Sequence, residues 1–365
     1  MTISPLQQLI IERIQRDGPI PFIDYMRMAL YEPDYGYYVA GPARMGWEGK
    51  DYYTSTDVSS FFAHCMGRQL LQMWEVSEHP TPFVVVEQGA GRGNLAEGIR
   101  RWAEREAPTF QAALAYHTED IRAGQDALTQ SNISPLVILS NELVDAFPVH
   151  IVQLHEQKLY EVYVAVSSDG RLYEVLDEPS NQEVASYLDS YKIPWTTFPD
   201  GWRAEVNLDA QRWLKQSAQR LKNARRQGFI LTIDYGDKAR VLYTSSRPEG
   251  TLACYFQHQL TNRPLVRPGE QDITAHVNFS ALIHEGRRQG LHLHTFTTQR
   301  LWLTEMGIHE ELERVRTHDF AVIDDARASD QGQIALFQWY NLQQGVIALT
   351  DPAGMGNFKV LILKR

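Results

Sequence analysis

Hydrophobic positions recur with two different periods along this chain, and each change of period marks where an element begins or ends. Leu6, Leu9, Ile10 and Ile14 fall on one helical face. Ser4, Pro5 and Gln7 supply an N-cap, a first-turn proline and an N3 partner, so a helix is expected to begin there and stop at Gly18-Pro19. A second helix, from about Pro21 to Tyr31, carries Phe22, Met26, Ala29 and Leu30 and is ended by Pro33. The turn from Tyr31 to Tyr38 is aromatic and reads as packing. Lys50 to Ser60 is rich in hydroxyls and leads into a helical segment through Trp74, as an N-cap cluster does.

The period then shortens. Val84, Val85 and Val86 form a β-branched run typical of a strand buried on both faces, and Leu95 to Glu106 returns to helical spacing. Leu114 to Glu119, Leu136 to Leu139 and Phe229 to Ile233 read as further strands of the same sheet, with a helix from about Asp209 to Gln227 before the last of them. Between residues 151 and 176 strict alternation takes over, with Gln157-Lys158 and Ser168-Asp169-Gly170 as turns. That stretch is expected to be an antiparallel meander inserted into the α/β order. Leu291 to Thr295 and Phe358 to Leu363 predict an antiparallel hairpin at the sheet edge. The fold class is therefore α/β, an open Rossmann-like sheet with a helical N-terminal region.

Composition narrows the partners. The formal net charge is −10, which excludes a general grip on phosphate backbones and makes nucleic acid an unexpected partner. Cys65 and Cys254 lie far apart without metal-ligand spacing, so no metal is expected and the thiols suit a reducing, cytoplasmic setting. With no long uninterrupted apolar run, membrane insertion is not expected.

Chemistry should concentrate where the first strand meets Gly89, Gly91 and Gly93, because glycines let the backbone approach a ligand at the strand's tip. Glu87 stands just before them, with no Lys close by. An acid there repels a pyrophosphate and suits a cation, which turns the reading from a nicotinamide dehydrogenase towards S-adenosylmethionine. Glu119, at the tip of the second strand, is placed to hold ribose hydroxyls, with a solvated strand-end acid as the bland alternative. Asn141 could serve chemistry at a strand tip or only cap a helix.

Longer motifs sharpen this. Leu30 to Tyr38, Asp51 to Ser55, Glu87 to Gly93, Asn141 to His150, Asp234 to Gly236, Gly250 to Leu252, Pro268 to Phe279, Met355-Gly356 and Phe358-Lys359 together resemble the MidA family of S-adenosylmethionine-dependent methyltransferases. These are bacterial relatives of a mitochondrial complex I assembly factor that is a protein arginine methyltransferase. Departures from the family pattern are Gln88 and Ala90 in the glycine loop, Thr56-Asp57 after Ser55, and Phe256 after Tyr255.

The resemblance implies a class I methyltransferase core, S-adenosylmethionine as cofactor and a protein arginine as acceptor. It also implies that Thr54 and Ser55 close the cofactor pocket, and that His258, Asp272, Thr274 and His276 wall the acceptor. A guanidinium needs carboxylates that accept its fork, and Glu142 and Asp145 would share a face if a helix starts there, with Asn141 beside them. The expected division is an N-terminal helical region over residues 1–80 packing on the cofactor site, core segments 81–150 and 206–365, and an inserted partner region 151–205. Two alternatives differ in class: a factor that binds the cofactor without turnover, and a small-molecule methyltransferase on the same scaffold.

Overall fold

A computed structural model describes residues 3–39, 55–120, 133–221, 227–257, 259–318, 320 and 330–365. The apolar runs become a six-stranded sheet. Its strands are β1 (Phe83–Gln88), β2 (Leu114–Glu119), β3 (Val137–Asn141), β4 (Phe229–Asp234), β5 (His292–Thr298) and β6 (Lys359–Lys364). In space they run β2-β1-β3-β4-β6-β5, all in one direction except β6, which is antiparallel to both its neighbours. β5 and β6 do pair, but not as the expected hairpin. β6 lies inside the sheet between β4 and β5, and helices Gln299–Glu305, Ile308–His318 and Asp330–Thr350 intervene in the chain.

Two helices precede the sheet, α1 (Pro5–Asp17) and α2 (Phe22–Tyr31), and the Ser4 hydroxyl caps α1 by accepting from Gln7 N. α3 (Ser60–Val76) and α4 (Asn94–Glu106) cover one face of the sheet, where Phe83 and Val85 meet Phe62, Met66, Ile99 and Trp102. α5 (Leu208–Leu221) and α6 (Phe279–Arg288) cover the other, where Ile138, Ile230 and Leu361 meet Trp213, Leu214 and Phe279. Strand residues alternate between these two cores, and each fully buried Val, Ile or Phe is worth about 1.5–3 kcal/mol of transfer free energy.

A second sheet holds the alternating stretch. His150–His155 pairs antiparallel with Lys158–Val166 and with Arg203–Val206, while Lys158–Val166 also pairs with Leu172–Asp177 and with Ile20–Pro21. α1 and α2 bury Leu6, Ile10, Phe22 and Met26 against Ile151, Val162 and Val164 of this sheet. The first two helices thus share a core with the alternating stretch, whereas α3 belongs to the main sheet.

β1 lies between β2 and β3, so the crossovers leave it in opposite directions and open a crevice at the carboxyl ends of β1 and β3. The glycine loop and the Asn141 turn both sit at that crevice. Among the described residues, no helix is long and apolar enough to cross a membrane.

Candidate active site

The glycine loop is held open from below. Gly89, Gly91 and Gly93 have φ of +72°, +54° and +79°, a region that side chains rarely adopt. Gly89 N donates to Glu119 O at 2.9 Å, and Gly93 forms the N-cap of α4. A Cβ on Gly91 or Gly93 would meet nothing within 4 Å, whereas one on Gly89 would press Leu143 Cδ1 at 2.8 Å. Glu87 is 4% exposed and accepts from the Tyr116 hydroxyl at 2.9 Å, and burial pushes its carboxyl up to about 7.

Glu119 has a different surrounding from the one its position suggests. Arg220 of α5 donates Nη1 to Oε2 and Nη2 to Oε1, each at 2.8 Å, and Gln88 Nε2 adds a bond to Oε2 at 2.9 Å. Both oxygens are engaged in a buried fork that ties β2 to α5, the bidentate geometry Arg favours. The next residue, Asp120, places its carboxylate on the glycine loop and accepts from Gly91 N.

Asn141, Glu142 and Asp145 come together, but not on a helix. A single 3-10 turn, Val144–Ala146, follows β3, and Glu142 sits at φ +50°. The adjacent strand tip decides this local structure. Asp234 at the end of β4 accepts Val144 N at 2.9 Å and Asp145 N at 3.3 Å on one oxygen, and Tyr235 N at 2.9 Å on the other. Burial, followed by the neighbouring Asp145 and Glu142, holds the Asp234 carboxyl well above the usual carboxylate range.

Glu142 Oε1 accepts Ser55 N at 2.8 Å and Asn141 Nδ2 at 3.1 Å, and burial pushes its carboxyl up to about 7. Asp145 Oδ2 accepts the Tyr235 hydroxyl, while Oδ1 is buried without a partner among the described residues. Burial pushes the Asp145 carboxyl up to about 6.

These acids line a cavity of about 370 Å³ whose other walls include Tyr235, Asp272, Thr274 and His276. Three residues expected at the acceptor are therefore in one place with the strand-tip pair. His276 lies edge-on to Tyr235 at 5.4 Å, and burial, then Arg247 and Lys359, lowers its pKa to about 4, so the ring is neutral at pH 7. Ser55 is fully buried, its hydroxyl donating to Gln299 Oε1 at 3.3 Å. Thr54 and His258 lie outside the described residues.

The sequence reading did not single out Asp120 or Arg247; it included Asp234 to Gly236 and the aromatic turn in the family motifs without giving their side chains a role, and by composition it favoured packing for the turn. Tyr38 donates its hydroxyl to Asp272 at 2.7 Å and Tyr31 to Ala146 O at 2.8 Å. The one available signal was Tyr rather than Phe at buried positions, since a buried phenol needs a partner.

Residues 65–297 match the model of a family of S-adenosyl-L-methionine-dependent methyltransferases. The chain is 29% identical over 393 residues to a Drosophila melanogaster protein named protein arginine methyltransferase NDUFAF7 homolog, mitochondrial, covering 96% of this chain and 83% of that one. The Rattus norvegicus protein named protein arginine methyltransferase NDUFAF7, mitochondrial, is 27% identical, over 85% of this chain and 76% of its own. A COG1565 superfamily member from Burkholderia thailandensis, solved bound to S-adenosyl-homocysteine, superposes with a TM-score of 0.78 at 26% identity, covering 99% of this chain and 92% of that one.

These relatives overturn the expectation of a cytoplasmic protein, because the curated ones are named mitochondrial. Cys65 and Cys254 are free and buried in separate cores, so they do not distinguish one compartment from another.

Proposed function

The chain belongs to the S-adenosyl-L-methionine-dependent methyltransferase family, and from that premise we propose that the acceptor is an arginine side chain of a protein. The observation that carries the proposal is a cavity lined by Glu142, Asp145 and Asp272, in which Asp145 is only 5% exposed and its buried Oδ1 has no hydrogen-bond partner among the described residues. A buried carboxylate oxygen without a donor is costly by about 1–3 kcal/mol, and a guanidinium supplies donors in a planar fork.

The fit to the cofactor rests on the open space over Gly91 and Gly93, beside a buried acid. When bound, S-adenosylmethionine supplies a methyl group on a sulfonium. Glu87 balances its positive charge, and Gly89, Gly91 and Gly93 admit the methionyl part. We assign the ribose to the tip of β2 with Asp120 as the reaching carboxylate, Glu119 holding that tip in place through Arg220. Ser55, fixed by Glu142, closes the pocket. Glu142 and Asp145 orient the guanidinium so that one nitrogen faces the methyl, with Asn141 beside them, and most of the rate comes from that positioning. Transfer would exchange the methyl's bond to sulfur for one to nitrogen and release a proton from that nitrogen, and the Asp145 carboxyl, already pushed up to about 6 by burial, is suited to take it.

Asp272, Thr274 and His276 wall the acceptor, His276 as a neutral ring. The sheet is read as a class I core, residues 81–150 and 206–365, carrying a helical region, 1–80, and an inserted meander within 151–205 that faces the partner.

Two measurements test the reading. S-adenosylhomocysteine should raise the melting temperature while NAD does not, as a ligand selective for the native state must. Labelled-methyl transfer into a lysate from a deletion strain should then mark arginines of one protein, identified by mass spectrometry. Label only in small molecules would replace the acceptor, and binding without label would make the chain a factor that holds the cofactor.

A further inference from the structure

The cavity beyond the strand tips contains one cation that the transfer of a methyl group to arginine does not use. Arg247 lines it together with Glu142, Asp145, Asp237 and Asp272. Its side chain is partly buried, and among the described residues its guanidinium has no hydrogen-bond or ion-pair partner. Lys359 makes the contrast: its ammonium is tied to Asp237 at 3.3 Å and to Asn357 O and Oδ1 at 2.9 Å each. Arg247 also acts on the site electrically, helping to keep His276 uncharged.

The loop that carries Arg247 is fixed at several points. Arg247 N donates to Thr244 O at 3.1 Å, and Thr244 O also accepts Trp202 Nε1 at 2.9 Å. Arg203 N donates to Pro248 O at 2.8 Å. Gly250, at φ +75°, lets the chain turn against Glu205, whose carboxylate accepts Thr251 N at 2.9 Å, Thr251 Oγ1 at 2.8 Å and Leu252 N at 3.1 Å. The guanidinium is therefore presented from a rigid support. A half-buried, unpaired cation beside a cavity favours an anion that arrives with the ligand.

We propose that Arg247 selects the substrate by binding a carboxylate that lies next to the methylated arginine in the acceptor chain. The inference rests on the reading of the acceptor as a protein arginine. A cavity of about 370 Å³ is roughly 7 Å across, and a peptide advances about 3.3–3.6 Å per residue. The carboxylate therefore falls within about two residues of the arginine. The lining carries both charges, acids for the acceptor guanidinium and Arg247 for the neighbouring carboxylate. An acceptor with a second cation beside the target is disfavoured by the same arrangement.

The test uses the full chain saturated with S-adenosylmethionine and short peptides with a single arginine. A Glu is placed at each position within about two residues either side, against Gln at the same position. One further pair ends about two residues after the arginine, with a free or an amidated C-terminus. At the favoured position Glu should raise kcat/KM about tenfold or more over Gln, as a charge-assisted hydrogen bond does. A comparable gain only for the free C-terminus assigns the carboxylate to a chain end instead of a side chain.

Arg247→Gln should remove the difference between the Glu and Gln peptides. Arg247→Glu should reverse it in favour of Lys at the same position, which loss of structure cannot produce. Equal rates on Glu and Gln peptides overturn the inference and leave arginine transfer standing. Loss of S-adenosylhomocysteine affinity in Arg247→Gln in step with turnover overturns it too, because the cation then belongs to the cofactor. If no peptide is methylated or bound while S-adenosylhomocysteine still binds, the arginine reading fails and takes this inference with it.

Discussion

Burial biases a carboxyl towards its neutral form until a cation arrives, and Glu87, Glu142, Asp145 and Asp234 are all shifted that way. Glu87 and Glu142 are pushed up to about 7 and Asp145 to about 6, in each case first by burial. Because these pKa values lie above those of the unfolded chain, the ligand-free native state holds extra protons. Their stabilising contribution is full below the ordinary carboxylate range and is lost as pH rises through about 6–7. A cationic ligand reverses the preference, so S-adenosylmethionine should bind more tightly at pH 8 than at pH 6, with about half a proton released near pH 7 if Glu87 becomes fully ionised. Calorimetry in two buffers of different ionisation enthalpy reads that release directly, and a binding heat independent of buffer contradicts it. Substitution separates the other two acids. Asp145→Asn removes a charge-assisted bond of about 1.5–3 kcal/mol and should lower single-turnover methylation by roughly ten- to a hundredfold, with S-adenosylhomocysteine affinity unchanged. Glu142→Gln should weaken both, since the same carboxylate receives Ser55 N.

Elements decide what those residues can do, and here the sequence was legible in pattern and opaque in pairing. The Val84 to Val86 run, the alternating glycines and the helix after them were readable because period and backbone freedom are local properties. Glu119 shows the limit: its place at the tip of β2 was clear, whereas its partner comes from α5, distant in the chain and on a face no local pattern specifies. Arg220→Leu removes the cation from that buried carboxylate and should cost about 3–5 kcal/mol in urea unfolding. Adding Glu119→Gln should recover part of the loss, and an unchanged midpoint in the single variant would show the fork to be dispensable. The strand-tip acids tell a similar story. Their convergence was anticipated, but a helix was assumed where Asp234 instead stabilises one 3-10 turn, because a capping carboxylate from a neighbouring strand outcompetes local helix propensity.

At the scale of the whole molecule, the cavity draws its walls from segments spread along most of the chain, joined by close backbone contacts. Gly236, at φ +147°, pairs with Val277, and a Cβ there would come within 2.1 Å of Val277 O. Gly236→Ala should therefore push the two walls apart and raise the acceptor KM several-fold, while S-adenosylhomocysteine affinity holds; steady-state kinetics beside a binding titration would show it. The interior place of β6 carries a consequence for how the molecule is made. Lys359 stands opposite both Asp234 and Thr298, so the gap between β4 and β5 is filled only by a loop closure of high contact order, which is intrinsically slow. Until it closes, β4 offers an unpaired strand edge to any other chain, and β5 has no neighbour to join. Aggregation during refolding should accordingly follow concentration and the fate of β6, while the crevice between β1 and β3 assembles from strands that need not wait for it.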